Sequence, residues 1–506
     1  MFVRRKPNKS GVMSIQIIDK SSGRYVVRQT VGSSSDPSEI AFLEKKAHQQ
    51  LVMIKKQGVL GFDRADELAF VDTITDHLGT FSLVGPELLL GRIFDQIGFN
   101  AIEDSLFRDL VLTRLVFPVS KLRTVDYLFK YKGIEMSVYS IYRYLDKLHK
   151  DQIELVKAIS LRHTLKLFSD VLSIVFYDVT TLYFEASEAD DLRKLGFSKD
   201  GKHQQPQIVL GLLVSENGYP LDYDIFDGNK YEGDTLLPVI EHFQVKYSCS
   251  KLIVVADAGL LSARNIGLLK AKNYQYILGA RIKNESEAVI HQILSLQLQD
   301  NESQVIPKGD QRLIVSYKES RALKDAHNRK RGLEKLEKDL KSGKLNKTHI
   351  NNKGYNKYLK LQGDIQVTID YQKYQQDAAW DGLKGYLTNA PLAKQEIIDK
   401  YNQLWNIERT FRISKSDLQI RPIYHRLKRR IESHICISFA ACKVYKELER
   451  QLEDKKSAFS AQKAIDIIKT IYKVDIQTPY SPTIHHRLIV KNHEQQEIIK
   501  LFDLKL

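Results

Sequence analysis

The sequence predicts an α/β protein in which a helical region precedes a mixed β-sheet. From residue 85 to about 168, apolar residues recur at helical spacing and few segments resemble strands. After residue 170, five apolar runs have the length of strands. The first three runs follow one another closely, and helical segments separate the others, so the expected order is three strands, helix, strand, helix and strand.

Composition limits the classes of function before any motif is considered. The chain has 506 residues, 77 Lys and Arg against 62 Asp and Glu, and a formal net charge of +15. This length predicts two to four structural units at roughly 100–200 residues each. The hydrophobic fraction of 43% excludes a wholly disordered chain. The excess of cations favours a polyanionic partner, but a generally basic proteome explains the charge equally well.

Cysteine usage and apolar runs predict a soluble cytoplasmic protein with no membrane partner. Cys249, Cys436 and Cys442 do not have the spacing of a disulfide framework or of a structural zinc site. No stretch approaches 18 apolar residues, and the basic N-terminus lacks the apolar segment of a signal peptide.

The region 1–80 is expected to contain a β-hairpin followed by a helix. Apolar and polar residues alternate from Ser14 to Thr30 around a Ser-Ser-Gly turn. A helical apolar pattern then runs from Ile40 to Ile54, and Gly58 is expected to end it.

The region 81–168 is expected to be a helical DNA-binding domain. SKLRTVDYLFKY, the turn KGIEM and SVYSIYRYLDKL resemble a helix-turn-helix, in which Tyr139, Arg143 and Lys147 would read DNA. Because any helical bundle is also built from helices and short turns, the alternative is a purely structural bundle.

The predicted sheet lies in 169–282, the first part of the catalytic core. Its strands are expected at 171–178, 208–216, 219–228, 251–259 and 274–280, with helices at 235–247 and 262–272. The dipeptide Asn217-Gly218 predicts a tight hairpin between the second and third strands.

The rest of the chain divides by composition into three regions. Region 283–377 resembles a lysine-rich insertion with short strands such as RLIVSYK and DIQVTIDY; it is either a solvated helical or loop segment or a surface that follows DNA. Region 378–450 is expected to be the second part of the catalytic core, and it is helical in pattern from Ala393 onward. Region 451–506 is expected to be a helical tail.

Two aspartates are expected where strands of the predicted sheet end. Asp178 follows VLSIVFY and Asp257 follows KLIVVA. Because ligands of open α/β sheets lie beyond the carboxyl ends of strands, these two side chains could share a cation. The alternative is that each only forms a turn or caps a helix. Other carboxylates crowd the first strands, and alternation predicts that most of them face solvent: Glu185, Asp190, Asp191, Asp222, Asp224 and Asp227.

A later helix carries a third carboxylate, Glu408. At 100° per residue, one face holds Tyr401, Trp405, Glu408, Arg412 and Lys415, beside an apolar stripe of Leu404, Ile407, Phe411 and Leu418. If this edge faces the two aspartates, three carboxylates converge and two Mg²⁺ ions could support phosphoryl transfer on nucleic acid. The alternative is a surface helix on which Arg409 and Arg412 pair with Glu408.

Several segments together resemble an insertion-sequence DDE transposase of the group with a Tyr-Arg-Glu-Lys signature, which has a ribonuclease-H-like catalytic domain. The resemblance covers roughly 171–280 and 378–445. It rests on FYDVTTLYFE, GFSKDGKHQQPQIVLGLLVSENGYPLDYDIFDGNKYEGDTLLPVI, VVADAGLLS, WDGLKGYLTN and YNQLWNIERTFRISKSDLQIRPIYHR. It implies a ribonuclease-H-like mixed sheet interrupted by a β-containing insertion.

The resemblance also implies roles for single residues. Asp178, Asp257 and Glu408 would be the catalytic ligands of two Mg²⁺ or Mn²⁺ ions. Tyr401 and Lys415 would contact DNA near the cleaved phosphate, and the signature arginine is replaced by Leu404. Arg409 or Arg412 could substitute for that arginine. The full set of expected DNA contacts is Tyr401, Trp405, Arg409, Arg412, Lys415, Arg421 and His425.

The implied function is a bacterial transposase that acts at the nucleoid. It would bind terminal inverted repeats as a homodimer on paired ends, cleave DNA strands and transfer the 3′-OH ends to target DNA. One alternative is a non-enzymatic, DNA-binding transposase remnant. A phosphoaspartyl enzyme is disfavoured, because residue 180 is Thr where such enzymes need a second Asp.

Overall fold

The structure, a computed structural model, describes residues 1–8, 11–55, 71–72, 75, 78–168, 173–185, 188–198, 201–247, 252–260, 262–351, 354–362, 366–477 and 483–506. Cys249 and Gly58 lie outside these ranges. The chain forms two compact units: Met1–Gly79 with Asp475–His485, and Thr80–Val474 with His486–Leu506. No helix in the described ranges is long and apolar enough to cross a membrane.

The first unit contains the predicted hairpin and one strand more. Strands β1 (Phe2–Pro7), β2 (Met13–Asp19) and β3 (Val26–Ser34) form an antiparallel sheet in that order. Helix α1 (Pro37–Lys55) packs on it, as its apolar periodicity predicts. The small core between them contains Ile15, Ile17, Ala47 and Leu51.

The helical region begins the second unit and includes the predicted helix-turn-helix segment. A π-helical turn (Glu87–Gly91) is followed by α2 (Arg92–Ile97), α3 (Ser105–Val116), α4 (Lys121–Lys132), α5 (Val138–Asp151) and α6 (Ile153–Leu167). The hydroxyls of Ser120 and Ser137 cap α4 and α5, and Gly133 ends α4 in the left-handed conformation. Tyr139 on α5 is 71% exposed, whereas Lys147 pairs with Asp104.

The five strands predicted for 169–282 form a mixed sheet in the predicted order. They are β5 (Ile174–Tyr183), β6 (Gln207–Val214), β7 (Pro220–Asp227), β8 (Ile253–Ala256) and β9 (Gln275–Ala280). Strands β5, β6 and β7 are antiparallel, and β5, β8 and β9 are parallel. Helices α7 (Leu236–Tyr247) and α8 (Ala263–Ala271) make the crossovers. This order and direction of strands is the ribonuclease-H-like arrangement.

The lysine-rich region is less separate than its composition predicts, because part of it extends the main sheet. Strands β10 (Ser303–Lys308) and β11 (Gln311–Tyr317) join β14 (Leu383–Thr388), which pairs antiparallel with β9. The remaining elements of the region are α9 (Glu287–Leu294), the 23-residue α10 (Glu319–Lys341), β12 (Leu359–Gln362), β13 (Gln366–Ile369) and α11 (Tyr371–Gln376).

The helix expected to carry Tyr401 through Lys415 on one face is interrupted. Helix α12 (Lys394–Asn402) ends before α13 (Trp405–Arg412), and a π-helical turn (Ile413–Asp417) follows. Tertiary hydrogen bonds fix α13: the Asn406 amide donates to the Glu216 carbonyl at 2.6 Å, and the Thr410 hydroxyl donates to the Gly218 carbonyl at 2.9 Å. These bonds attach α13 to the predicted Asn217-Gly218 turn.

The C-terminal part contains strands as well as the predicted helices. The 27-residue α14 (Lys428–Asp454) is buried along most of its length. It is followed by α15 (Ala461–Ile468), β15 (Tyr472–Gln477), β16 (Ile484–Ile489) and α16 (His493–Phe502). A further strand, β4 (Leu78–Leu83), precedes the helical region.

The two faces of the sheet have separate apolar cores. Phe176 and Val255 belong to the core that includes α13 and α14, whereas Tyr177 and Ala256 belong to the core that includes α7. Side chains of a strand alternate between faces. Asp178 and Asp257 therefore lie on the side of the sheet that α13 covers.

Candidate active site

Asp178 and Asp257 lie on neighbouring parallel strands. Tyr177 of β5 is in register with Ala256 of β8, and the two aspartates are the residues that follow them along the chain. Neighbouring strands are about 4.8 Å apart, so the two side chains start side by side on the same face. Asp257 ends its strand as predicted, but Asp178 does not, because β5 continues to Tyr183 and pairs there with β6. The predicted juxtaposition follows from the parallel register of β5 and β8.

Local hydrogen bonds orient both carboxylates. The backbone amide of Val179 donates to Oδ1 of Asp178 at 2.7 Å, and that of Ala258 donates to Oδ1 of Asp257 at 2.6 Å. After Asp257 the chain turns away in a 3₁₀ turn, Ala258–Leu260. Asp178 is half-buried and Asp257 is exposed. The open side of this pair is accessible to a ligand.

Tyr401 supports Asp257 from α12. Its hydroxyl donates to Oδ1 of Asp257 at 3.2 Å, and its ring packs against Tyr386 with centroids 5.0 Å apart. Burial and the charge of Asp257 raise the pKa of Tyr401, which keeps the phenol protonated. A Cβ on Gly279 would collide with this hydroxyl, so a larger residue there would displace the Tyr401 side chain. The buried Tyr401 thus contacts a catalytic-site carboxylate, and its contact with DNA stays a prediction.

Lys384 lies over the Tyr401 ring and interacts with Asp257 and Glu408, and the sequence did not predict it. Its ammonium is 4.4 Å from the centroid of the Tyr401 ring. Burial and Arg321 lower the pKa of Lys384 to about 8, while Asp257 and Glu408 act in the opposite direction. One cation therefore interacts electrostatically with both carboxylates. The segment WDGLKGYLTN contains Lys384, but its place beside β9 depends on strand pairing that no local pattern specifies.

Glu408 lies on the exposed side of α13. The predicted apolar stripe is confirmed, since Leu404, Ile407, Phe411 and Leu418 are buried. Helix α13 packs against β5, the strand that carries Asp178. Among the residues that the structure describes, no group of three or more His, Cys, Asp or Glu side chains is arranged to hold a metal ion. The structure thus pairs two aspartates and brings Glu408 to their side of the sheet without forming a closed three-ligand cluster.

The expected DNA contacts on α13 separate into two groups. Trp405 is 52% exposed and Arg412 is exposed, while Lys415 is half-buried in the π-helical turn. Arg409 instead forms an ion pair with Glu449 of α14 at 2.5 Å, with its guanidinium 5.9 Å from the Trp405 ring. The expected alternative pairing of Arg409 with Glu408 is therefore replaced by a tertiary pair.

Arg421 and His425 lie in the loop after the π-helical turn, at a different place on the unit. The Arg421 guanidinium is 5.7 Å from the Tyr183 ring at the end of β5. The His425 ring is 5.5 Å from that of His434, and burial together with Lys121, Arg114 and Arg430 lowers the pKa of His425 to about 3. His425 is therefore neutral at pH 7.

One discounted carboxylate has a structural role that the strand pattern did not predict. Asp222 was grouped with residues expected mostly to face solvent, but it is 3% exposed and pairs with Lys157 at 2.9 Å. Helix α6 covers this face of β7 and supplies the lysine. Glu185, Asp190 and Asp191 are exposed as expected.

Comparisons with known proteins identify relatives of this arrangement. Residues 170–442 match a family model described as "Transposase DDE domain". A solved synaptic complex of piggyBac transposase with hairpin DNA is 9% identical, with 76% of this chain and 79% of that chain covered and a TM-score of 0.39. The Mos1 transposase paired-end complex with left transposon end is 12% identical, with 46% and 66% covered and a TM-score of 0.16. A search of curated proteins gave no match.

Proposed function

Since the chain belongs to the DDE-domain transposase family, whose model matches more than half of it, we propose that it cleaves DNA at the ends of an insertion sequence and joins the 3′-OH ends to target DNA. The family makes the protein a DNA transposase. The observation that carries the assignment of its active site is the adjacency of Asp178 and Asp257 on parallel strands, with Glu408 on the helix that packs over them.

The donor set fits Mg²⁺ or Mn²⁺. Asp178 and Asp257 offer only oxygen ligands from neighbouring positions, and Mg²⁺ is usually bound by one or two carboxylates together with phosphate oxygens of the substrate. We assign Asp178 and Asp257 as shared ligands and Glu408 as a ligand of a second ion. When bound, two such ions would activate water and stabilise the leaving oxygen.

The residues around the two aspartates orient a carboxylate and neutralise the negative charge of DNA. Tyr401 fixes the rotation of the Asp257 carboxylate, so that its second oxygen remains available. With a pKa of about 8, Lys384 is mostly protonated at pH 7 and would bind a DNA phosphate beside the carboxylates. Trp405, Arg412 and Lys415 extend this surface along the DNA. Arg409 would act through Trp405 and α14, since Glu449 already binds its guanidinium.

The partners follow from the family and from charge. We propose that two copies bind the terminal inverted repeats and pair the ends as a homodimer before transfer to target DNA. The net charge of +15 supports binding to a polyanion. Arg421 and His425 would contact backbone phosphate outside the carboxylate centre.

Conservative variants test the carboxylate assignment. Asp178→Asn, Asp257→Asn and Glu408→Gln should each abolish cleavage of labelled end DNA in Mg²⁺ while end binding persists, because shape is kept and only the anionic ligand is lost. Glu185→Gln is the matched control, since Glu185 is exposed just beyond β5. A variant of the three that cuts at the normal rate would overturn its assignment. If the unaltered protein binds ends but cuts neither linear nor supercoiled DNA in Mg²⁺ or Mn²⁺, it is a DNA-binding remnant.

A further inference from the structure

The second compact unit contains a cavity between the α3–α4 junction and the loop that carries Arg421 and His425. Its volume is about 380 Å³. Four cationic side chains line it: Arg114, Lys121, Arg123 and Arg421. The described residues around the cavity include no carboxylate. A concave site with cations from three chain segments and no anion is complementary to an anionic ligand.

Lys121 carries the most weight in this cavity, because its side chain is buried and has no partner among the described residues. Its side chain is 6% exposed and lines the cavity, and the described residues offer its ammonium no hydrogen bond and no ion pair. Other buried lysines of this unit are satisfied. Lys157 pairs with Asp222 at 2.9 Å, and Lys443 donates to the Ser160 carbonyl at 2.9 Å. Burial and Arg114 lower the pKa of Lys121 well below its usual range, so its charged form needs an anion that the described residues do not supply.

Arg114 provides a second buried cation. It is 6% exposed, and within the described part of the chain its guanidinium reaches only the carbonyls of Leu418 and Gln419, at 3.4 and 3.5 Å. These are long hydrogen bonds to neutral acceptors, so much of the donor capacity of this guanidinium is unused. The first turn of α4, from the capping residue Ser120 onward, also lines the cavity and adds the positive end of a 12-residue helix.

The histidines of the cavity respond to the same positive potential. Burial, Lys121 and Arg114 lower the pKa of His425 to about 3, and burial with Arg114 and Lys121 lowers that of His434 well below its usual range. Both rings are therefore neutral at pH 7. His434 is held in place by its Nε2, which lies 2.9 Å from the carbonyl of Ile420.

We propose that this cavity binds a phosphate group, which in the working protein belongs to the backbone of bound DNA. Phosphate suits the site because its several oxygens can accept from an ammonium, a guanidinium and helix amides together. Arg421 connects the cavity to β5 through Tyr183, five residues beyond Asp178. That interval is about 17 Å of strand, or roughly five base-pair steps of DNA. The DNA assignment rests on the proposed function, whereas phosphate binding does not.

Inorganic phosphate is the direct probe. Thermal unfolding of the full chain is compared in phosphate and chloride at equal ionic strength. Phosphate should raise the Tm of the unaltered protein and of Lys130→Met, an exposed lysine on the same helix, but not that of Lys121→Met. In chloride, Lys121→Met should unfold at or above the normal Tm, because it removes a buried amine that has no partner among the described residues. An equal effect of phosphate on all three proteins, or none on any, would overturn the site.

Binding of end DNA distinguishes the source of the phosphate. Lys121→Met should weaken binding about tenfold and reduce the salt slope of log K by about 0.9, the value for one lost phosphate contact. Lys121→Arg should restore most of the affinity and most of the salt slope. This result would show that the loss in Lys121→Met comes from the missing charge and not from misfolding. If Lys121→Met abolishes the phosphate effect but leaves the salt slope intact, the ligand is free phosphate and the DNA assignment is wrong. Asp178→Asn should retain both effects, so failure of the catalytic proposal is seen separately.

Discussion

Replacing Tyr401 with phenylalanine isolates the hydrogen bond that orients Asp257. The change removes the hydroxyl that lies 3.2 Å from Oδ1 and leaves the ring between Lys384 and Tyr386. A hydrogen bond to a charged group contributes about 1.5–3 kcal/mol, and the length of this bond favours the lower end. Since 1.36 kcal/mol corresponds to a tenfold change in rate, cleavage should slow about tenfold if the orientation matters fully in the transition state.

The assay is single-turnover cleavage of labelled end DNA at saturating protein, with the affinity for DNA measured in parallel. Tyr401→Phe should lower the cleavage rate and raise the Mg²⁺ concentration needed for half-maximal cleavage. The affinity for DNA should not change. Tyr386→Phe is the matched control, because the Tyr386 hydroxyl lies 3.4 Å from Ser316 Oγ and not at a carboxylate. Normal cleavage by Tyr401→Phe, or an equal loss in both variants, would refute the orienting role.

Three further changes test neighbouring parts of the structure. Gly279→Ala should slow cleavage at least as much as Tyr401→Phe, because its Cβ would collide with the Tyr401 hydroxyl. In the double variant the two losses of rate should not add, and additive losses would show separate causes. Lys384→Met should weaken both cleavage and end binding, whereas an effect on neither would remove Lys384 from the DNA surface. For His163, 9% exposed, burial lowers the pKa from 6.5 to about 4, so its contribution to stability is complete above pH 6.5 and is lost as the pH falls toward 4. The loss should reach about 2 kcal/mol at pH 5, and denaturant unfolding of His163→Gln at pH 7 and pH 5 should show a smaller drop than the unaltered protein.

The order of helices and strands in the core was predictable because burial imposes a regular spacing of apolar residues within each helix and strand. The runs that became β5 to β9 are apolar over the length of a strand, and the Asn-Gly turn between β6 and β7 is where it was expected. The placement of Asp257 after a buried strand was predictable for the same reason. The continuation of β5 beyond Asp178 was not, because residues 179–183 pair with β6, and pairing is not a local property.

Long-range pairing also explains what was missed at the site. Strand β14 joins β9 across about a hundred residues of chain, and this pairing brings Lys384 to Asp257. Similarly, the apolar pattern from Ile397 to Leu418 is consistent with one continuous helix. The hydrogen bonds of Asn406 and Thr410 to the β6–β7 turn instead favour a separate α13. Tyr401 and Glu408 therefore reach the site from two helices.

Buried lysines show most clearly where sequence reasoning stops. Lys121 and Lys157 both lie on helices of the N-terminal helical region, and both are almost fully buried. Their local patterns do not distinguish them. The structure does, because β7 brings Asp222 to Lys157, whereas no described element brings an anion to Lys121. A buried amine that no described residue neutralises is costly to place, so its position indicates an external anion, which is a conclusion about binding that burial alone could not support.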